Sequence, residues 1–415
     1  MWVGRPGRPP GLPGVSARGS KSNEKPFRNS ELRALIDEGR RSVPRSPSAI
    51  MGARSVAVPM RPPSGSDGTM RNDKDRYWDC LDQAMEASHG GRTEEALAWL
   101  DEALKAQPGG AEAHNGRGEI LWDEGRIEEA LFEFERAIET DRKFTAAHMN
   151  RAELLIEEMG EFEAALRQCD TLLAGHAEMP RPDRLLQAEI HYLKSKALFY
   201  LDNLEGALFL VRRASHAVGD QPVYFAFEGQ IHFELGQFPE ARRVLERAAA
   251  MDPDAPHALY HLALVLERVE GPGEAAPLFA RAHALDPDHF PLPTEVADEV
   301  FSGAVRDAID NLPRSIREYI DSVEIYVEDW PSDEMVNGER VSPQILGIFM
   351  GVPRTGASVT AQVEDLDRVL LFKKNLEKIC RSTEELIEQI QVTVRHEIGH
   401  YLGLDEDDME RLGLA

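Results

Sequence analysis

Toward the C-terminal end of the chain lies His396-Glu397-Ile398-Gly399-His400, two histidines and a glutamate in the H-E-x-x-H spacing. On a helix, side chains four residues apart stack on one face, so His396 and His400 can aim two imidazoles at one point. Glu397 follows the first histidine directly and can reach a water held between them. Two nitrogen ligands, an open coordination position and a carboxylate base are the requirements of a zinc-dependent hydrolase. The spacing thus assigns His396 and His400 as metal ligands, Glu397 as general base and Zn2+ as cofactor.

These residues need a helix that starts and stops in the right places. Ser382 and Glu385 form a capping box, Ile387, Ile390, Val394 and Ile398 recur at helical spacing, and Gly403 supplies the stop. Upstream, residues 301–312 read as a helix ended by Pro313. Residues 323–329 alternate as a strand, 335–342 form a polar loop, and 344–350 and 368–373 are two further apolar strands. The order α-β-β-β-α predicts a small α+β domain over 291–415. An extended substrate would lie along a strand edge, either 344–350 or 369–372. Tyr401 neighbours a ligand but points elsewhere on the helix, so it reads as packing.

The preceding stretch, 75–290, is repetitive. An alanine inside an E-A-L-like step recurs at Ala96, Ala130, Ala165, Ala207, Ala241 and Ala275, with spacings of 34, 35, 42, 34 and 34. Glycine precedes it by five at Gly91, Gly125 and Gly236. A large apolar residue follows by four, and a second alanine by seven at Ala103, Ala137, Ala214, Ala248 and Ala282. Proline ends the unit at Pro108, Pro253 and Pro287. Small residues let two helices approach closely, and the glycine turns the chain. The pattern resembles the tetratricopeptide repeat (TPR), which implies six helical hairpins stacked as an all-α superhelix. In that arrangement the groove collects aromatic residues, among them Trp122, Tyr192, Phe199, Phe233 and Tyr260, and these are the expected contacts for a bound protein or peptide. TPR proteins that clamp acidic tails carry lysine at the fifth position of the first helix. Here Leu81, Asn115, Met149, Tyr192, Ala226 and Tyr260 stand there, which excludes that partner class. His114, His148 and His191, at the fourth position, read as core residues.

Residues 1–74 are rich in Pro, Gly, Ser and Arg and read as a disordered basic tail. Residues 1–76 carry +8, with 15 Lys/Arg against 7 Asp/Glu, and the rest of the chain carries −34 against a total of −26. So acidic a body argues against nucleic acid and anionic membrane as partners. No apolar run approaches the ~18–20 residues that span a bilayer, and no signal-peptide pattern opens the sequence. The three cysteines, Cys80, Cys169 and Cys380, are scattered, which fits a reducing cytoplasm.

The C-terminal domain resembles the minimal zincin-like metallopeptidase family of small bacterial proteins. The resemblance rests on Asn311-Leu312-Pro313, Ile325-Tyr326-Val327-Glu328-Asp329-Trp330-Pro331, Leu346-Gly347-Ile348-Phe349-Met350-Gly351-Val352-Pro353-Arg354-Thr355, the strand from Arg368 to Phe372, the stretch from His396 to Gly403, and Leu412-Gly413. It implies His396 and His400 as zinc ligands and Glu397 as base. A third ligand is expected ten residues after the first histidine, which is Glu406, where the family usually carries Asp. Asp407 and Asp405 beside it are alternatives. The expected function is peptide-bond hydrolysis, with the TPR array recruiting a protein substrate or partner. The alternative is a non-catalytic TPR scaffold whose zincin domain is structural or inactive.

Overall fold

The computed structural model describes residues 73–175, 181–219, 221–312, 314–317, 320, 323–351 and 368–404. Of the tail expected over 1–74, residues 1–72 lie outside them while Asp73 and Lys74 open the first helix, and the acidic residues 405–407 lie outside them too.

The first unit is six helical hairpins: Asp73–His89 with Thr93–Ala106 (α1, α2), Ala111–Asp123 with Ile127–Thr140 (α3, α4), Thr145–Glu157 with Phe162–Ala174 (α5, α6), Arg184–Tyr200 with Leu204–Val218 (α7, α8), Pro222–Glu234 with Phe238–Met251 (α9, α10), and Pro256–Val269 with Pro272–Leu285 (α11, α12). The repeat register predicts this directly. All six anchor alanines and all five second alanines are 0% exposed, so each sits where its hairpin's helices touch. Leu100, Phe134, Val211, Leu245 and Phe279 are buried four residues after their anchors. The turn residue takes the left-handed conformation at Gly91, Gly125 and Gly236, with φ of 68°, 73° and 70°. In the fourth hairpin Asp202 holds that position at φ 60°, and Asn203 caps the next helix by accepting from Gly206 N.

The second unit begins with Asp298–Asp310 (α13) and the short Arg314–Arg317 (α14). Strand Glu324–Glu328 (β1), helix Asp333–Gly338 (α15) and strand Gly347–Met350 (β2) follow. The unit ends with strand Arg368–Phe372 (β3) and helices Lys373–Ile379 (α16) and Thr383–Leu402 (α17). The sheet order is β1-β3-β2, with β1 parallel and β2 antiparallel to β3. Both faces of the central strand β3 are covered, so Val369-Leu370-Leu371-Phe372 is apolar throughout. Val369 and Leu371 pack with α13 and α17 through Phe301, Val305, Ile390, Val394 and Ile398. Leu370 and Phe372 face Met335 and Ile345 on the other side.

Three expectations are corrected. The loop at 335–342 contains α15, whose N-terminus is capped by Ser332 Oγ accepting from Met335 N. The strand expected over 344–350 is confined to Gly347–Met350. Lys373 starts a helix instead of ending a strand.

The second unit is docked on the last two hairpins. Glu234, buried near the end of α9, accepts from Ser342 Oγ at 2.8 Å and Gln344 Nε2 at 2.6 Å. Val336 of α15 is buried in the cluster formed by Phe233, Phe238, Leu262 and Phe279. It lies so near Gly236 that a Cβ there would meet Val336 Cγ1 at 2.6 Å and Asn337 Oδ1 at 2.7 Å. Arg268 stacks over Phe238 at 4.6 Å and donates to Pro331 O. Lys378 pairs with Glu267 at 2.7 Å. The connecting segment is fixed too: Thr294 donates from N to Glu377 O and from Oγ1 to Cys380 O. Among the described residues no helix is long and apolar enough to cross a membrane.

Candidate functional site

Helix α17 places the H-E-x-x-H residues. Ser382 Oγ accepts from Glu385 N at 3.1 Å while Glu385 reaches back to Arg381 N at 2.6 Å, closing the expected capping box one residue earlier than its simplest form. Leu386, Ile390, Val394 and Ile398 are buried against the sheet. The helix ends where Gly403 turns left-handed at φ 79°. There Gly403 N donates to His400 O, and Leu404 N to Gly399 O. The chain therefore turns sharply after the second histidine.

His396 and His400 face one another across that last turn. Their Nε2 atoms are 3.0 Å apart, with the rings edge to face at 84°. Two nitrogens each about 2.0–2.1 Å from a tetrahedral zinc would stand about 3.3 Å apart, so the observed spacing needs an adjustment of only tenths of an ångström. Burial pushes the pKa of both imidazoles down. That of His400 falls to about 4, with the His396 charge as a further cause. Both rings are thus neutral at pH 7, the state that can donate electron pairs to a metal. By spacing, burial and protonation state the pair fits two of the ligand positions of a zinc centre. The third-ligand candidates Glu406, Asp407 and Asp405 lie outside the described residues, and among the described residues no group of three His, Cys, Asp or Glu converges.

Glu397 is buried beside the pair. It lies against β2, where a Cβ on Gly347 would meet Glu397 Cγ at 3.2 Å and Thr393 Cγ2 at 2.9 Å. Among the described residues β2 pairs only with β3, which leaves its other edge as the strand edge at the site. The alternative edge, 369–372, is corrected: β3 is hydrogen-bonded on both sides and offers no edge. Tyr401 packs as expected, 1% exposed and edge-on to Phe349.

The residues expected to line a TPR groove are placed differently. Trp122, Tyr192, Phe199 and Phe233 are all buried. Trp122 is edge-on to Phe134 and donates to Glu158. Tyr192 and Phe199 pack on Phe227, and Phe233 belongs to the cluster that holds Val336. For these four the groove expectation is corrected, because consecutive hairpins consume their surfaces. Tyr260 is half-buried against Phe279 and Phe290. His114, His148 and His191 are buried, as their repeat position predicts.

Sequence reasoning passed over Gly347 and Thr393. The available signal was a glycine inside an otherwise apolar strand, which marks a close approach. It also passed over Glu234, Glu267 and Lys378, whose partners are distant in sequence.

Comparison with known proteins agrees with both halves of this reading. Residues 320–414 match the family model of the zincin-like metallopeptidases. Residues 81–146 and 228–290 match one tetratricopeptide-repeat model, and 121–188 match another. Among solved structures the chain is similar to PilF of Pseudomonas aeruginosa, at 16% identity and TM-score 0.43, covering 52% of this chain and 95% of that one. It is similar to PilW, a type IV pilus biogenesis factor, at 18% identity and TM-score 0.45, covering 51% and 94%. A tetratricopeptide repeat protein from Parabacteroides merdae gives 16% identity and TM-score 0.41, covering 59% and 97%. The comparison with curated proteins gave no match.

Proposed function

We propose that this chain, a TPR array joined to a zincin-like metallopeptidase domain, hydrolyses peptide bonds in a protein substrate that the array helps to recruit. The observation that carries the reading is the convergence of His396 and His400 Nε2 at 3.0 Å, with Glu397 buried on the same helix and its stem close to Gly347 of β2. His396 and His400 would hold Zn2+, with Glu406, Asp407 or Asp405 as third ligand. When bound, zinc would polarise both the attacking water and the scissile carbonyl. Glu397 takes the proton from that water and delivers it to the leaving amine nitrogen. The edge of β2 that is unpaired among the described residues would orient an extended peptide by main-chain hydrogen bonding and so fix its carbonyl relative to Glu397.

The test is full-length protein and Glu397→Gln, compared for zinc content and for cleavage of an unbiased peptide library. The peptidase reading expects both proteins to bind zinc and only the first to cleave. Zinc binding with no cleavage by the unaltered chain selects the scaffold reading, which the buried docking of the second unit on Glu234 and Glu267 favours. Absence of zinc from both overturns the metal site.

A further inference from the structure

Gly347 opens β2, paired with Leu371 of the central strand. Its backbone gives no reason for glycine, since it is not among the residues with positive φ. The reason is space. A Cβ there would stand 2.9 Å from Thr393 Cγ2, 3.2 Å from Glu397 Cγ and 3.2 Å from Leu370 O. The Leu370 carbonyl belongs to the sheet and cannot retreat. Thr393 is held as well, because its Oγ1 donates to Gln389 O at 2.9 Å. Of the three neighbours, the Glu397 stem is the one with rotatable bonds to yield.

We propose that Gly347 is a positioning residue for the general base: the space left by its missing side chain sets where the Glu397 carboxylate stands relative to the histidine pair. The inference rests on the peptidase reading for its catalytic consequence, but the placement of Glu397 is testable without turnover. A strand this close to the base also ties two elements together: a single carbon added to β2 at Gly347 would crowd the Glu397 stem.

The experiment uses full-length Gly347→Ala, Thr393→Ser, Gly347→Ala/Thr393→Ser and Glu397→Gln. Thr393→Ser keeps the hydroxyl bond to Gln389 and removes the methyl nearest the new Cβ. The double variant should therefore recover the thermal stability that Gly347→Ala loses, while the Glu397 contact persists. It should match the unaltered chain in zinc content and show kcat lowered about 10²-fold with KM within about twofold, the cost typical of an ångström-scale misplacement. The visible absorption of the Co2+-loaded protein should change in Gly347→Ala/Thr393→Ser in the same sense as in Glu397→Gln. A stable double variant with unaltered kcat, or with an unaltered Co2+ spectrum, overturns the proposal. If the unaltered chain cleaves nothing, the peptidase reading falls, and the Co2+ spectra still decide where Gly347 places Glu397.

Discussion

Lys378 Nζ of α16 stands 2.7 Å from Glu267 of α11, so an ion pair with both side chains near 5% exposure joins the last hairpin to the second unit. Burial pushes the Lys378 ammonium from its ordinary 10.5 down to about 8, outweighing the attraction of Glu267 and Glu377; the Lys374 charge adds to the fall. The consequence for stability has a definite sign. Below pH 8 both folded and unfolded chains carry the proton. Between about 8 and 10.5 the unfolded chain keeps it and the folded chain does not, so unfolding takes up a proton and this group's contribution rises with pH. Lys378→Met/Glu267→Leu removes both charges together, because a lone buried carboxylate would itself destabilise. Unfolding midpoints at pH 7.5 and 9.5 should show a smaller upward shift in the double variant than in the unaltered chain.

Glu234 makes the second connection, and its loss should be felt at β2. Glu234→Ala strands Ser342 Oγ and Gln344 Nε2, at a cost of about 1–3 kcal/mol. Amide exchange should quicken over 344–350, immediately before and within the strand that lies on Glu397. Exchange in the first three hairpins should not change, since Glu234 and its partners Ser342 and Gln344 belong to the fifth hairpin and the second unit.

The proposed metal site predicts a sharp asymmetry among the acidic residues that follow His400 in sequence. His396→Ala and His400→Ala should each abolish stoichiometric zinc by elemental analysis. Alanine at Asp405, Glu406 and Asp407 in turn should weaken zinc by an order of magnitude or more at one position alone, Glu406 on the spacing argument. Three equal losses would mean a diffuse acidic turn instead of a ligand.

Docking through α15 predicts a third kind of failure. Val336 is 3% exposed among the aromatic residues of the fifth and sixth hairpins. Val336→Asp puts an unpaired charge there, at a cost of several kcal/mol. Limited proteolysis should then cut readily between 286 and 297, releasing an intact repeat array. The unaltered chain, whose segment there is held by Thr294 and by Arg381 donating to Asp288 O, should resist.

Local codes were legible in the sequence, and tertiary ones were not. The anchor alanines announced the hairpins because only small side chains fit where two helices touch. Ser382, Glu385 and Gly403 announced α17 because caps act within a few residues. Helix α15 was illegible because Asp333-Glu334-Met335-Val336-Asn337-Gly338 is too short and polar to be helical alone; docking of Met335 and Val336 decides it. Helix α16 was not legible because the apolar run up to Lys373 reads as one strand, whereas Lys373, Glu377 and Lys378 are buried in ion pairs. The aromatic residues of the repeats were assigned to a groove because helical periodicity reports that a face is apolar without reporting what covers it. At the candidate site the spacing pointed to His396, Glu397 and His400, but the closeness of Gly347 depends on a strand some 50 residues away.

Gly236 began here as a turn residue, one of the glycines that reverse a hairpin. Its α-carbon also forms part of the floor on which Val336 and Asn337 rest. This position therefore answers to two steric demands, a left-handed turn and a bare surface for the neighbouring domain. A mutation there distorts a repeat and evicts the neighbouring domain in one step, so neither demand can relax while the other holds. Grafting the C-terminal domain onto another TPR array would require the recipient to offer a bare backbone at this same turn.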